Sequence, residues 1–379
     1  EGFKYDYCNP DVLLNRLSVK NGKIVTPEGI EYSVLWLNDN KRMLPETLEK
    51  LLALVREGAV VIGDAPEGLA TLSGQESAQK RFDAAVHALW GEVSKGCNRI
   101  GKGMVVSGMS LDEALCELKM SPDVTATGDA LWLHRQTKGA DWYFVTAPKG
   151  QGFKGDLSFR NSGYAEIWDP VTGEMEPAVN RKDGDRTVVS LDMPRAGSCF
   201  VVFRHDRKGE SKPVLLEEAG TIPVGNEWTL AFPDGWGAPA SLKADELKAW
   251  KDLDISPEGK AFSGTVTYTT SFDIENAKEY VGYSLDLGAV EMIASVSLNG
   301  KPLRVLWTPP YRLDITDAIQ TGENILTVEV TGTWFNRLVY DAGQPEENRK
   351  TWTISGPSKD APLRDSGLLG PVVLKVFND

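Results

Sequence analysis

At 379 residues the chain is long for one domain and comfortable for two or three. Its 41% hydrophobic and 25% charged residues fit ordinary soluble globular domains. The formal charge of −13 argues against a nucleic-acid surface, which needs clustered Lys and Arg, whereas here bases are interspersed with acids throughout.

In chain order, the first segment, residues 1–128, alternates strand and helix patterns. Tyr32-Ser-Val-Leu-Trp-Leu37 is a short apolar run of the buried-strand type. Pro45 suits a first helical turn, Leu48, Leu51, Leu52 and Val55 follow at helical spacing, and Gly58 is a natural stop. Ala59-Val-Val-Ile-Gly63 is the next strand, which makes a βαβ unit with a parallel pair. A helix over 75–90, a strand over 103–107 and a helix over 110–118 with Ser110 as N-cap continue the alternation, so an open α/β sheet is expected.

Residues 129–212 switch to short strands bounded by turns, at 130–135, 140–146, 164–168, 186–191 and 198–203, and read as a small β-sandwich domain. Asp183-Gly184 is a hairpin signal, and the polar stretch 207–213 reads as a linker. In residues 213–379 the first clear strand follows Gly225. Strands are expected at 228–232, 264–272, 282–287, 294–298, 303–307, 324–330 and 374–377, with a tight turn at Asn299-Gly300. Many short strands with Gly and Pro punctuation indicate an antiparallel β-sandwich or jelly roll.

Four pieces of this last segment carry a resemblance. They are Leu285-Asp-Leu-Gly288, Ala294-Ser-Val-Ser-Leu-Asn-Gly-Lys301, Trp307-Thr-Pro-Pro-Tyr-Arg-Leu-Asp-Ile-Thr316 and Gly322-Glu-Asn-Ile-Leu-Thr-Val-Glu-Val330. Together they resemble the galactose-binding-like jelly roll that accompanies glycoside hydrolases of the β-galactosidase type. With Thr333-Trp-Phe-Asn-Arg-Leu338 and Ser366-Gly-Leu-Leu-Gly-Pro371, the chain is similar to the C-terminal region of family 106 glycoside hydrolases, the α-L-rhamnosidases. Tyr5-Asp-Tyr7, Asn21-Gly-Lys-Ile-Val-x-Pro-x-Gly29 and Val55-x-x-Gly-Ala-Val-Val-Ile-Gly63 extend the similarity to the front of the chain.

The resemblance implies a multidomain α/β plus all-β fold: a flavodoxin-like open α/β domain, a small β domain and a C-terminal galactose-binding-like jelly roll. In that family the catalytic barrel lies N-terminal to everything seen here. The chain opens at Glu1 without Met or a charged-then-apolar leader, so it reads as a mature secreted protein or as a fragment, the fragment being the expectation. No catalytic residue carries over. The implied role is non-catalytic support of the barrel, with carbohydrate binding, in a secreted or periplasmic bacterial protein that degrades polysaccharide. Its partners would be carbohydrate and the barrel, with no nucleic acid and no membrane span. The rivals are a self-contained hydrolase with a site at a domain junction, and a protein-interaction module without sugar binding.

Candidate site residues follow from chemistry. Glycoside hydrolysis uses two carboxyl groups flanking the scissile bond, and Glu166 with Asp169 is the pair to weigh; the plainer reading is a solvent-facing Glu and a turn-forming Asp before Pro170. Gly101-x-Gly103 lacks the third glycine of a dinucleotide loop. Cys97 or Cys116 with His87 or His134 would make a nucleophile pair, but neither cysteine sits at a strand-to-helix elbow. The four cysteines, Cys8, Cys97, Cys116 and Cys199, show no metal spacing and read as thiols. No cofactor is expected. Structural calcium is the open question, with Asp183, Asp185, Asp314 and Asp317 as candidates that equally suit plain turns. The remaining signal is aromatic. Sugars pair with flat rings and with Asn, Arg or Asp, and Trp307, Tyr311, Trp334, Asn336, Arg337 and Asp341 supply that mixture, with Trp228 and Trp236 sharing the claim; the alternative is that they pack the core and brace a loop.

Overall fold

The computed structural model describes residues 2–207, 216–225 and 227–378. Most of the expected linker, from Lys208 onward, lies outside the described residues, as does the expected boundary at 212/213. The chain is mostly β-strand in several sheets with few helices. No helix of the described residues is long and apolar enough to cross a membrane. Contacts group the residues into two compact units.

The first unit takes Glu1–Thr127, Asp156–Gly163 and Asn180–Val189. Its longest early helix, Pro45–Glu57, begins with Pro45 in the first turn, buries Leu48, Leu51, Leu54 and Val55 on one face and stops at Gly58, where φ is 130°. That helix connects Leu35–Trp36 to Val60–Ile62, which pair in parallel, and Val60–Ile62 pairs in parallel with Gly103–Ser107. An antiparallel edge strand, Gly96–Ile100, closes the sheet. The apolar run at 32–37 serves two sheets: Tyr32 pairs with Ile24 in an N-terminal meander, while Leu35 pairs with Val61. The helices at Gln75–Trp90 and Leu111–Glu117 lie where the spacing puts them. Ser110 caps the second with a full capping box, its hydroxyl accepting from Glu113 N and Glu113 Oε2 accepting from Ser110 N. A four-stranded sheet, ordered Val124–Ala126, Phe153–Phe159, Arg186–Met193 and Asn180–Asp183, contributes strand segments to this unit.

The second unit holds Gly128–Gly155, Tyr164–Val179 and Ser190–Asp379. A five-stranded antiparallel sheet runs Leu131–Gln136, Ala140–Thr146, Ser198–Arg204, Ala165–Trp168, Met175–Pro177. Further along, a six-stranded sheet is ordered Ser241–Ala244, Trp228–Ala231, Thr265–Ile274, Gly322–Thr331, Ile293–Leu298, Lys301–Leu306. A four-stranded sheet is ordered Glu217–Pro223, Val373–Asn378, Gly282–Asp286, Arg312–Asp314. These two sheets bury one shared core: Trp228, Leu230, Val266, Tyr268, Val328 and Val330 from the first meet Tyr283, Leu285, Leu313, Leu374 and Val376 from the second. The Thr265–Ile274 strand alternates inward and outward as its period of two requires, burying Val266, Tyr268 and Thr270. Asn299 and Gly300 turn the last hairpin of the larger sheet with φ of 53° and 75°, the left-handed pair that a two-residue turn needs. Glu217–Pro223 is a strand the pattern did not show, because its exposed, Glu-rich edge carries little apolar alternation.

Candidate functional site

The carboxylate pair weighed for hydrolysis is engaged in local structure. Glu166 is buried, accepts from Trp168 Nε1 at 2.8 Å and pairs with Arg207 at 2.7 Å. Asp169 Oδ1 accepts from Val171 N at 2.7 Å and Thr172 N at 3.1 Å, the turn-forming role of an Asp before Pro170. His134 Nε2 donates to Asp141 Oδ1 at 2.8 Å, and Cys8, Cys97, Cys116 and Cys199 are all free thiols. Among the described residues no group of three or more His, Cys, Asp or Glu is placed to hold a metal ion. Asp314 accepts from Thr316 N and Oγ1, a local turn contact.

The aromatic candidates fall into three settings. Trp307, 57% exposed, follows the Lys301–Leu306 strand. Tyr311 is buried in the sandwich core and donates its hydroxyl to Met292 O at 2.6 Å. The others gather on the Phe335–Ala342 helix, where Trp334 occupies the N-cap position and is 50% exposed. Asn336 and Arg337 are 1% exposed and Asp341 is 2% exposed. Trp228 is core, whereas Trp236 leans on Trp334 with ring centroids 5.7 Å apart.

Arg337 organises this cluster. Its guanidinium lies 5.1 Å from the Trp236 ring and 5.2 Å from the Tyr340 ring, and pairs with Glu258 Oε1 at 2.9 Å. Asp341 Oδ1 stands 2.7 Å from Arg337 Nη2 but off its N–H directions, so the contact is a close ion pair rather than an aligned hydrogen bond, and Arg337 Nε has no acceptor among the described residues. The other Asp341 oxygen accepts from Lys350 N, Thr351 N and Thr351 Oγ1. Burial alone would raise the Asp341 carboxyl, but pairing with Arg337 and Thr351 outweighs it and holds the group below the usual carboxylate range. Burial likewise pulls Arg337 down, and its two acids more than restore it. Glu258 is lowered first by Lys350 and then by Arg337.

Asn336 works in another direction. Its Nδ2 donates to Arg364 O at 2.8 Å and its Oδ1 accepts from Arg364 N at 2.8 Å, so one amide clamps the backbone of Arg364 on both sides. Arg364 lines a cleft of about 410 Å³ with Lys251, Glu291, Met292, Thr333, Asp365 and Ser366. Two expected site residues therefore hold cleft walls from behind, Asn336 through Arg364 and Tyr311 through Met292. None of the lining residues was a site candidate in the sequence, although Thr333 and Ser366 open two of the motifs that carry the resemblance. The lining residues come from four separate stretches of chain and share no spacing that a pattern could reveal.

Residues 1–182 match the family 106 glycoside hydrolase model, described as alpha-L-rhamnosidase. The chain superposes on a rhamnosidase from Novosphingobium sp. PP1Y with a TM-score of 0.87 and 34% identity, over 98% of this chain and 36% of that one. The chain is thus similar to family 106 glycoside hydrolases over its first 182 residues and to a rhamnosidase over nearly its whole length. A putative beta-glucuronidase of Formosa agariphila is 36% identical over 197 residues, which cover 45% of this chain and 16% of that relative. The chain thus spans about a third of the rhamnosidase it matches and a smaller share of the putative glucuronidase.

Proposed function

We propose that this chain is a non-catalytic part of a rhamnosidase-type glycoside hydrolase that supports the catalytic domain and binds carbohydrate. The observation that carries the reading is the likeness to a rhamnosidase over 98% of this chain and 36% of the other, at 34% identity. The internal geometry supports it, since Glu166 and Asp169 are consumed by ion pairing and a turn, which leaves neither poised as acid or nucleophile. In this reading the parallel-stranded front is a flavodoxin-like spacer and the C-terminal two-sheet sandwich is a galactose-binding-like jelly roll. Trp307 and Trp334 are the sugar-contacting rings, and Tyr311, Asn336, Arg337 and Asp341 hold the surface that presents them.

Incubation of the chain with aryl α-L-rhamnosides should give no turnover. Turnover that disappears in Glu166→Gln or Asp169→Asn would overturn the non-catalytic assignment. Binding to plant-type oligosaccharides, followed by calorimetry, should weaken in Trp307→Ala and Trp334→Ala, and binding that survives the double variant would remove those rings from the site.

A further inference from the structure

We infer that the cleft lined by Lys251, Glu291, Met292, Thr333, Arg364 and Asp365 takes an acidic sugar residue, whose anionic group rests on the Arg364 guanidinium. The inference builds on the carbohydrate-binding reading and names the class of sugar. Its volume of about 410 Å³ lies within the range of small-ligand sites.

The charges in the cleft are unevenly committed. Lys251 pairs with Asp365 at 2.9 Å, so those two largely satisfy each other. Arg364 has no acid partner among the described residues; its guanidinium instead stacks 3.6 Å from the centroid of the Phe335 ring. Stacking at that distance covers one face of the guanidinium and leaves its in-plane N–H fork open, the edge that receives a carboxylate or sulfate with two parallel hydrogen bonds. The Asn336 clamp on Arg364 N and O holds this residue in place before any ligand arrives, which reduces the ordering cost of binding.

The rest of the wall suits the remainder of a sugar. Glu291 has no cation partner among the described residues, and a bare carboxylate accepts from ring hydroxyls. Thr333 adds a hydroxyl that donates or accepts, and the exposed Met292 side chain offers an apolar surface to a C–H face. Met292 O is itself held by the Tyr311 hydroxyl at 2.6 Å. A neutral sugar would leave the Arg364 fork without its charge-matched acceptor. A uronate and a sulfate ester share the required chemistry.

The test is calorimetric titration of the full chain with oligogalacturonate, oligoglucuronate, a sulfated oligosaccharide and length-matched neutral oligosaccharides. At least one acidic series should bind about tenfold more tightly than its neutral match, the size of one charge-assisted pair. The uronate and sulfate arms show which anion is read. Arg364→Ala should abolish the acidic preference and Arg364→Lys should restore only part of it, because an ammonium lacks the fork. Equal binding of neutral and acidic sugars would overturn this inference while leaving the carbohydrate-binding reading in place. No binding to any sugar would overturn both. Acidic preference that persists in Arg364→Ala would place the acidic site elsewhere. The wild-type comparison of acidic with neutral ligands stands even if a variant fails to fold.

Discussion

Arg337 and Asp341 are one turn apart on a short helix, and both are withdrawn from water. Such a pair adds little net stability over an apolar pair of the same shape, yet losing one member strands the other. Asp341→Ala is therefore expected to cost about 3 kcal/mol in urea unfolding. It removes an ion-pair partner and three acceptor contacts to Lys350 and Thr351. The pH dependence has a definite sign. Asp341 and Glu258 are both held below the ordinary carboxylate value, so their contribution is present above about pH 4 and is lost as pH falls through the lowered folded values. The melting temperature should drop on acidification below that point, and Asp341→Asn should flatten part of the drop. The residue types at 334–341 were legible in the sequence as a polar and aromatic mixture. Their burial was not, because it depends on Trp236, Glu258 and Lys350, which arrive from distant segments.

Elements follow local chemistry most closely. Ser110 and Glu113 are spaced for a capping box and form one, and Ser110→Ala should cost about 1 kcal/mol by thermal or chemical melting. The five-stranded sheet carries a device no pattern announced. Asp141 sits buried on its Ala140–Thr146 strand, meets His134 from the neighbouring strand at 2.8 Å and meets His205, just beyond Ser198–Arg204, at 2.7 Å. One carboxylate thus ties three adjacent strands. His205 is raised above its ordinary value, first by the Asp141 hydrogen bond and then by the Lys138 carbonyl. Its contribution is complete below about pH 6.5 and is lost as pH rises through the raised folded value. Stability measured from pH 6 to 9 should decline accordingly, and Asp141→Asn should remove that slope. Sequence reading placed the three strands within a residue or two, because alternation and turn signals are local. It weighed His134 only as the partner of a cysteine and not of Asp141, because strand pairing chose the partner.

The C-terminal sandwich is held by contacts that span most of its length. Trp250 Nε1 donates to the Tyr268 hydroxyl at 2.7 Å, and that hydroxyl accepts from Leu368 N at 3.2 Å. Burial pushes Tyr268 up to about 12, against these two hydrogen bonds, so the phenol stays neutral. Gly367 completes the junction at φ 111°, and a Cβ there would stand 2.6 Å from Trp250 Nε1 and 2.7 Å from Tyr268 Oη. Gly367→Ala should therefore be among the most damaging single-methyl changes, costing about 3 kcal/mol or more from overpacking and left-handed strain together. A loss below 1 kcal/mol in chemical unfolding would show that the junction yields easily. For the chain as a whole, the sequence by itself determined the order and type of most elements, the Asn299-Gly300 turn, the Ser110 cap and the rhamnosidase-like resemblance. Those features rest on period, turn chemistry and ordered motifs, which act over a few residues at a time. Tertiary structure alone decided that Arg337 would be buried, that Asp141 would gather two histidines, and that Lys251, Glu291, Thr333 and Arg364 would share one cleft. The reason is that sheet pairing joins residues by register rather than by distance along the chain.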